Sequence, residues 1–245
     1  MQIDVNTWIN LNIENCSFVE LAKYIIPKCE FEVRSYKKEF TDVILKLASN
    51  GMGYKAGLSH ERIKKMQYDA FVPKFFYATK EEERDILAGS WDCEKNYEVS
   101  EMPYGFYFPD YSLGDLKRVY PGIFDPVVDK MITPLYKERN GDILFPKQLL
   151  YRCVFIILHE YGHYVDYKNF SNKASYAEYV YKSKAPVRDF QEKYKNGQIH
   201  EENPNLQEKI IYRECSDERA ADDYALKNLD SAIMSAIEYL RKNIE

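Results

Sequence analysis

The sequence predicts an α+β protein that is rich in helix. Two observations carry that reading. Leu149, Leu150, Cys153, Val154, Ile157, Leu158 and Tyr161 recur at three- and four-residue spacing, the period of one helix face. Residues 71–77, 96–99 and 104–108 are instead aromatic and β-branched enough for short strands. A chain of many helices and a few short strands is α+β.

The elements follow in order. Residues 18–26 form a short apolar helix stopped by Pro27. A second helix is expected over 38–49, with Phe40, Val43, Ile44 and Leu47 on one face. Asn50-Gly51-Met52-Gly53 ends it, since Asn and Gly accept the left-handed backbone of a helix C-terminus. A third helix covers 59–66. Pro73, Pro103 and Pro109 shorten the middle strands or place them at edges. Asp125-Pro126 offers a side-chain cap and a first-turn proline, so a helix starts there. Residues 139–142 are a turn, and 143–145 a short strand. The clearest helix runs over 147–167. Helical patches follow at 174–182 and 187–194. Asn203-Pro204 starts another helix that reaches about residue 227 with a break near Glu214, and 231–242 closes the chain. Residues 1–120 read as a mixed N-terminal lobe and 121–245 as the region that carries chemistry, unless 1–245 is one continuous domain.

Composition narrows the function. At 245 residues the chain can bury a core without staples. The 45 % hydrophobic and 30 % charged content excludes a largely disordered chain. A mean hydropathy of −0.54 and short apolar runs argue against a membrane span. The net charge of −5 argues against a protein that grips nucleic acid by bulk electrostatics. The start of the chain lacks a basic stretch followed by an apolar one, so no signal peptide is expected. Cys16, Cys29, Cys93, Cys153 and Cys215 are scattered and form no CxxC pair. That pattern suits neither a disulfide scaffold nor a thiolate zinc site, and a reduced, cytoplasmic protein is expected. The 22 tyrosines suit half-buried cleft walls but specify no chemistry.

Chemistry is concentrated in His159-Glu160-Tyr161-Gly162-His163, inside the strongest helix. Histidines four apart sit one turn above each other, about 6 Å between Cβ atoms, so both imidazoles reach one ion. Glu160 is then placed to act on a metal-bound water as general base. Two of the chain's 4 histidines fall in this motif. Gly162 costs about 1 kcal/mol in a helix interior, a cost easier to explain where something approaches the backbone closely. One zinc ion per chain is expected, and two histidines need a further protein ligand. The segment Ser216-Asp217-Glu218-Arg219-Ala220-Ala221-Asp222 supplies it, with Glu218 and Asp222 one helical turn apart. Glu218 serves as ligand and Asp222 as the partner of a ligand histidine's far nitrogen. Glu214, Asp217 and Glu178 are the alternatives to Glu218.

HExxH followed by ExxAD is the signature of gluzincin zinc peptidases. Leu158 to Tyr167, with an aromatic residue and glycine inside the motif and then Val165-Asp166, resembles the anthrax lethal factor-like catalytic domain. The block from Tyr212 to Tyr224 resembles it too, and equally resembles intracellular metallopeptidases that cleave phage-type repressors. The likeness spans residues 149–229. It implies a zincin-like fold, with a small sheet beside an active-site helix. It also implies endopeptidase activity, with His159, His163 and Glu218 as ligands, Glu160 as base and later proton donor, and Tyr212 as donor to the oxyanion. Tyr212 lies six residues before Glu218, one fewer than that pattern has, so Tyr194 and His200 stay open for its role. Asp166 either pairs with Arg219 or another base, orienting the helix, or faces solvent.

A zinc-dependent endopeptidase acting on a peptide or protein is the leading expectation, with neither nucleic acid nor membrane as partner. Two alternatives are a non-catalytic protein that keeps the scaffold and a regulatory peptidase with a single repressor as substrate. Residues 104–111 are either an edge strand that aligns extended substrate or an ordinary half-buried strand.

Overall fold

The computed structural model describes residues 13–27, 33–36, 106–109, 111–119, 125–140, 145–172 and 175–242. A 3₁₀ turn at Ile13–Asn15 leads into α1 (Phe18–Ile25). Strands β1 (Val33–Tyr36) and β2 (Phe106–Pro109) follow, then α2 (Leu113–Val119), α3 (Pro126–Asn140) and α4 (Phe145–Asn169). The chain continues through α5 (Tyr176–Ser183), α6 (Ala185–Lys195), α7 (Pro204–Glu214) and α8 (Ser216–Lys242).

The α+β expectation, with its zincin-like small sheet, is overturned. The described residues are mostly helical and build no sheet layer. Their β structure is confined to β1 and β2, four residues each, paired in parallel with Val33 opposite Phe106. The aromatic segment expected as a strand over 104–108 does contribute β2, but among the described residues it pairs with β1 alone, too little to form a layer beside the helices. Other aromatic residues fill contacts between helices. Tyr161 packs on Tyr224 with ring centroids 5.5 Å apart, and Tyr167 on Tyr176 at 5.3 Å. Residues 143–145, expected as a strand, are not one at their described end, because Phe145 already opens α4. The expected helices over 38–49 and 59–66, the cap at 50–53 and the strands over 71–77 and 96–99 lie outside the described residues, as does position 120. Described residues from both sides of that position share one core.

Local chemistry sets the helix starts. Ser17 Oγ accepts from Glu20 N at 3.3 Å and opens α1, and Pro27 follows its end. Asp125 Oδ1 accepts from Val127 N at 2.9 Å, with Pro126 in the first position of α3. Asn203 Oδ1 accepts from Leu206 N at 3.1 Å at the start of α7. Each satisfies one of the backbone donors that a helix N-terminus leaves orphaned. The expected break near Glu214 falls at Cys215, whose backbone is extended, but α8 then runs unbroken to Lys242 rather than in two pieces.

The core lies where α4 and α8 pack on each other. α4 contributes Leu149, Val154, Phe155 and Ile157; α8 contributes Ala225, Leu229, Ala232, Ile233, Ala236 and Leu240. Phe106 and Phe108 of β2 are fully buried, Phe108 against Phe18 at 5.2 Å. This makes β2 part of the core. Arg152 of α4 pairs through two nitrogens with Asp129 of α3. Cys16, Cys153 and Cys215 are free and buried, in keeping with small core residues. Among the described residues, no helix is long and apolar enough to cross a membrane.

Candidate metal centre

His159 and His163 stand one turn apart on α4, their rings 4.6 Å apart and nearly perpendicular. Their Nε2 atoms face each other at 3.1 Å. Glu218, in the first turn of α8, comes in between. Its Oε2 is 3.2 Å from Nε2 of His159 and its Oε1 is 3.7 Å from Nε2 of His163. One ligand atom from each of the three residues lies within 4.8 Å of the others. Glu218 is 2 % exposed and His159 7 %.

A close helix contact delivers Glu218 to this place. A Cβ atom on Gly162 would fall 2.7 Å from Cα of Ala221. Only a glycine lets the backbones of α4 and α8 meet so closely, which accounts for a residue that weakens the helix by itself.

Charged groups surround the cluster. Asp222, one turn past Glu218, has Oδ1 2.8 Å from Nδ1 of His159. Arg213 at the end of α7 donates from Nη1 to the same oxygen at 2.9 Å. Lys184, at the turn between α5 and α6, donates to Glu218 Oε1 at 2.6 Å and to Asp217 Oδ2 at 2.8 Å. Phe155 stacks on the His159 ring from one turn earlier, with centroids 6.2 Å apart.

These neighbours set the protonation. Burial by itself lowers the basicity of His159, but the nearby carboxylates of Asp222 and Glu218 outweigh it and push the pKa up to about 9. For His163 burial and the charge of His159 prevail over the pull of Glu218, and the pKa falls to about 4. Burial would raise the Glu218 carboxyl, yet His163, His159 and Lys184 together hold it well below the usual carboxylate range. Of the two histidines, His159 thus carries the one positive charge at neutral pH.

Two imidazoles and one carboxylate are a donor set for zinc. Glu218 Oε2 is buried and makes no hydrogen bond, which suits an oxygen that faces a cation. Once the extra proton of His159 is displaced, the Asp222 contact would keep the remaining proton on Nδ1 and leave the Nε2 lone pair for the cluster. The residues present fit such an ion.

Other sequence-derived candidates fall in different places. Glu160 is buried, next to His159 on α4. Tyr212 is half-buried on α7, with the Lys184 ammonium 4.2 Å from its ring centroid, so it borders the cluster through that lysine. Tyr194 is exposed and stacks on Phe190; His200 is exposed. Asp166 is half-buried and accepts from the Tyr176 hydroxyl at 3.1 Å, while Arg219 is exposed. Of the alternatives to Glu218, Asp217 is buried but bonded to Ser183 and Lys184. Glu178 pairs with Lys182 on the surface and Glu214 is exposed.

Lys184 and Arg213 were not legible beforehand. Lys184 lies 34 residues from Glu218, and Arg213 lies 54 from His159. The motif spacing holds no signal for either. No protein-family model, curated protein or solved structure matches the chain.

Proposed function

We propose that this protein is a zinc-dependent endopeptidase, of the gluzincin type its motifs resemble. The supporting observation is the convergence of His159, His163 and Glu218 within 4.8 Å, with Asp222 on the far nitrogen of His159. His159, His163 and Glu218 would hold one zinc ion. Zinc so bound supplies Lewis acidity and lowers the pKa of a water from 15.7 towards about 7. Glu160 would serve as the base that accepts a proton from the attacking water and as the acid that passes it to the leaving amine. The Tyr212 hydroxyl donates to the carbonyl oxygen as it becomes an oxyanion. Asp222 keeps His159 oriented throughout, and Arg213 holds Asp222 in place by a hydrogen bond to Oδ1.

The test is to identify cleavage sites in a proteome-derived peptide library with zinc-loaded wild type and Glu160→Gln. Wild type is expected to cut at defined sites. The variant is expected to keep one equivalent of zinc and cut nothing, because an amide cannot accept the water's proton. Near wild-type turnover in Glu160→Gln would remove the glutamate from the mechanism.

A second reading is a non-catalytic protein in which the cluster is a buried polar network. The Lys184–Glu218 contact at 2.6 Å favours it, because that ammonium neutralises the carboxylate without a metal. A wild-type chain that takes up no zinc, or takes it up and cleaves no peptide, supports this reading over the first.

A further inference from the structure

The two oxygens of Glu218 have different surroundings. Oε1 accepts from Lys184 Nζ at 2.6 Å. Oε2 makes no hydrogen bond, although it lies 3.2 Å from Nε2 of His159. One oxygen is occupied and the other is open on the side of the histidines.

Lys184 is held from three sides. Asp217, 1 % exposed, contacts it through Oδ2 at 2.8 Å and Oδ1 at 3.0 Å. Glu218 contacts it through Oε1, and the Tyr212 ring lies 4.2 Å away. Asp217 is itself fixed by the Ser183 hydroxyl. The Lys184 side chain is 17 % exposed, unlike a surface lysine free to swing. An ammonium has three donors and no lone pair, so it can hold a carboxylate but cannot ligate a metal. Arg213 cannot take over this task. Its Nη1 is 4.0 Å from Glu218 Oε2 and is engaged by Asp222.

We propose that Lys184 is a positioning residue of the metal site: it holds Glu218 by Oε1, leaves Oε2 as the single ligating oxygen, and tempers the hold of the site on a divalent cation. This rests on the zinc reading above. A ligand's outer partner sets its orientation and basicity. A fixed positive charge beside a cation in a buried site repels it more strongly than it would in water. Without Lys184, both oxygens of Glu218 face the histidines and Asp217 loses its counter-charge. Each change favours a bound cation.

The experiment measures zinc affinity by competition with a chromophoric chelator, on the full chain, for wild type, K184M and K184R. Removal of a unit charge this close should tighten zinc binding in K184M by about tenfold or more. K184R keeps the charge and the donor and should stay close to wild type. Cobalt(II) in place of zinc reads the geometry. Visible absorption should weaken in K184M as the second carboxylate oxygen joins the coordination. Unchanged or weaker zinc binding in K184M overturns the proposal. If K184M does not fold, K184Q keeps a neutral donor and is expected to tighten zinc as well. Should both variants fail to fold, Lys184 serves the fold and the proposal falls. A wild-type chain that takes up no zinc defeats the metal reading itself; zinc uptake that K184M leaves unaltered defeats this inference alone.

Discussion

Gly162 and Ala221 meet backbone to backbone: a Cβ atom on Gly162 would lie 2.7 Å from Cα and 2.8 Å from the carbonyl oxygen of Ala221. The contact sits one residue from His163 and three from Glu218, so the spacing of α4 and α8 is also the spacing of the ligands. Gly162→Ala tests this. Alanine improves helix propensity by about 1 kcal/mol. The added methyl meets backbone atoms that cannot swing aside, and overpacking of this kind costs about 1–3 kcal/mol. Denaturant unfolding of the metal-free variant should show a net loss of stability, and zinc titration should show weaker binding. A variant as stable as wild type would mean the helices part without cost.

The paired histidines give the metal-free protein a stability maximum near neutral pH. His159 has its folded pKa raised to about 9. Its contribution is complete below the unfolded value of 6.5 and is lost as pH rises through 9. His163 has its folded pKa lowered to about 4. Its contribution is complete above 6.5 and shrinks as pH falls towards 4. The thermal midpoint should therefore fall on both sides of about pH 6.5, and the His159→Gln/His163→Gln double variant should show a flatter profile. Zinc must displace the extra proton of His159, so its stabilising effect should grow between about pH 6 and pH 8. A midpoint profile with the same shape in the double variant would contradict the assignment.

Tyr212→Phe removes a hydroxyl while the ring stays under Lys184. Loss of one oxyanion donor typically lowers kcat about 10²–10³-fold. KM should move far less, because that hydrogen bond matters once the carbonyl oxygen is charged. Steady-state kinetics on a cleaved library peptide measures both. Full-rate cleavage by Tyr212→Phe, with Tyr194→Phe or His200→Ala crippled, would reassign the donor to the segment between the motifs.

Glu160→Gln separates metal binding from hydrolysis, and K184M separates the role of a charge from the role of the fold. Together with the three variants above, they divide the site into ligands, base, donor and support.

The local part of this design was readable from the chain alone. A period of 3.6 residues places His159 and His163 on one face whatever surrounds them, and the same period sets Glu218 one turn from Asp222. The starts of α3 and α7 follow from the side-chain caps and prolines of Asp125-Pro126 and Asn203-Pro204. These are short-range facts, fixed by bond geometry and by hydrogen bonds between near neighbours.

What needed the tertiary structure is long-range. The aromatic segment over 104–108 supplies strand β2, but it pairs with β1 alone, while rings such as Tyr161 and Tyr224 pack between helices, and the described residues are mostly helical rather than α+β. Asp166 finds Tyr176 rather than a basic residue as its described partner. Gly162 could be flagged as a helix cost, but only Ala221 explains it. Lys184 and Arg213 carry no motif at all. A side chain's charge acts on whatever lies within a few ångströms, and the chain brings residues 34 and 54 positions apart to that distance only when α4 and α8 pack with α5, α6 and α7 around them. The sequence by itself determined which residues could hold an ion; only the packing of the helices decided which charges surround them.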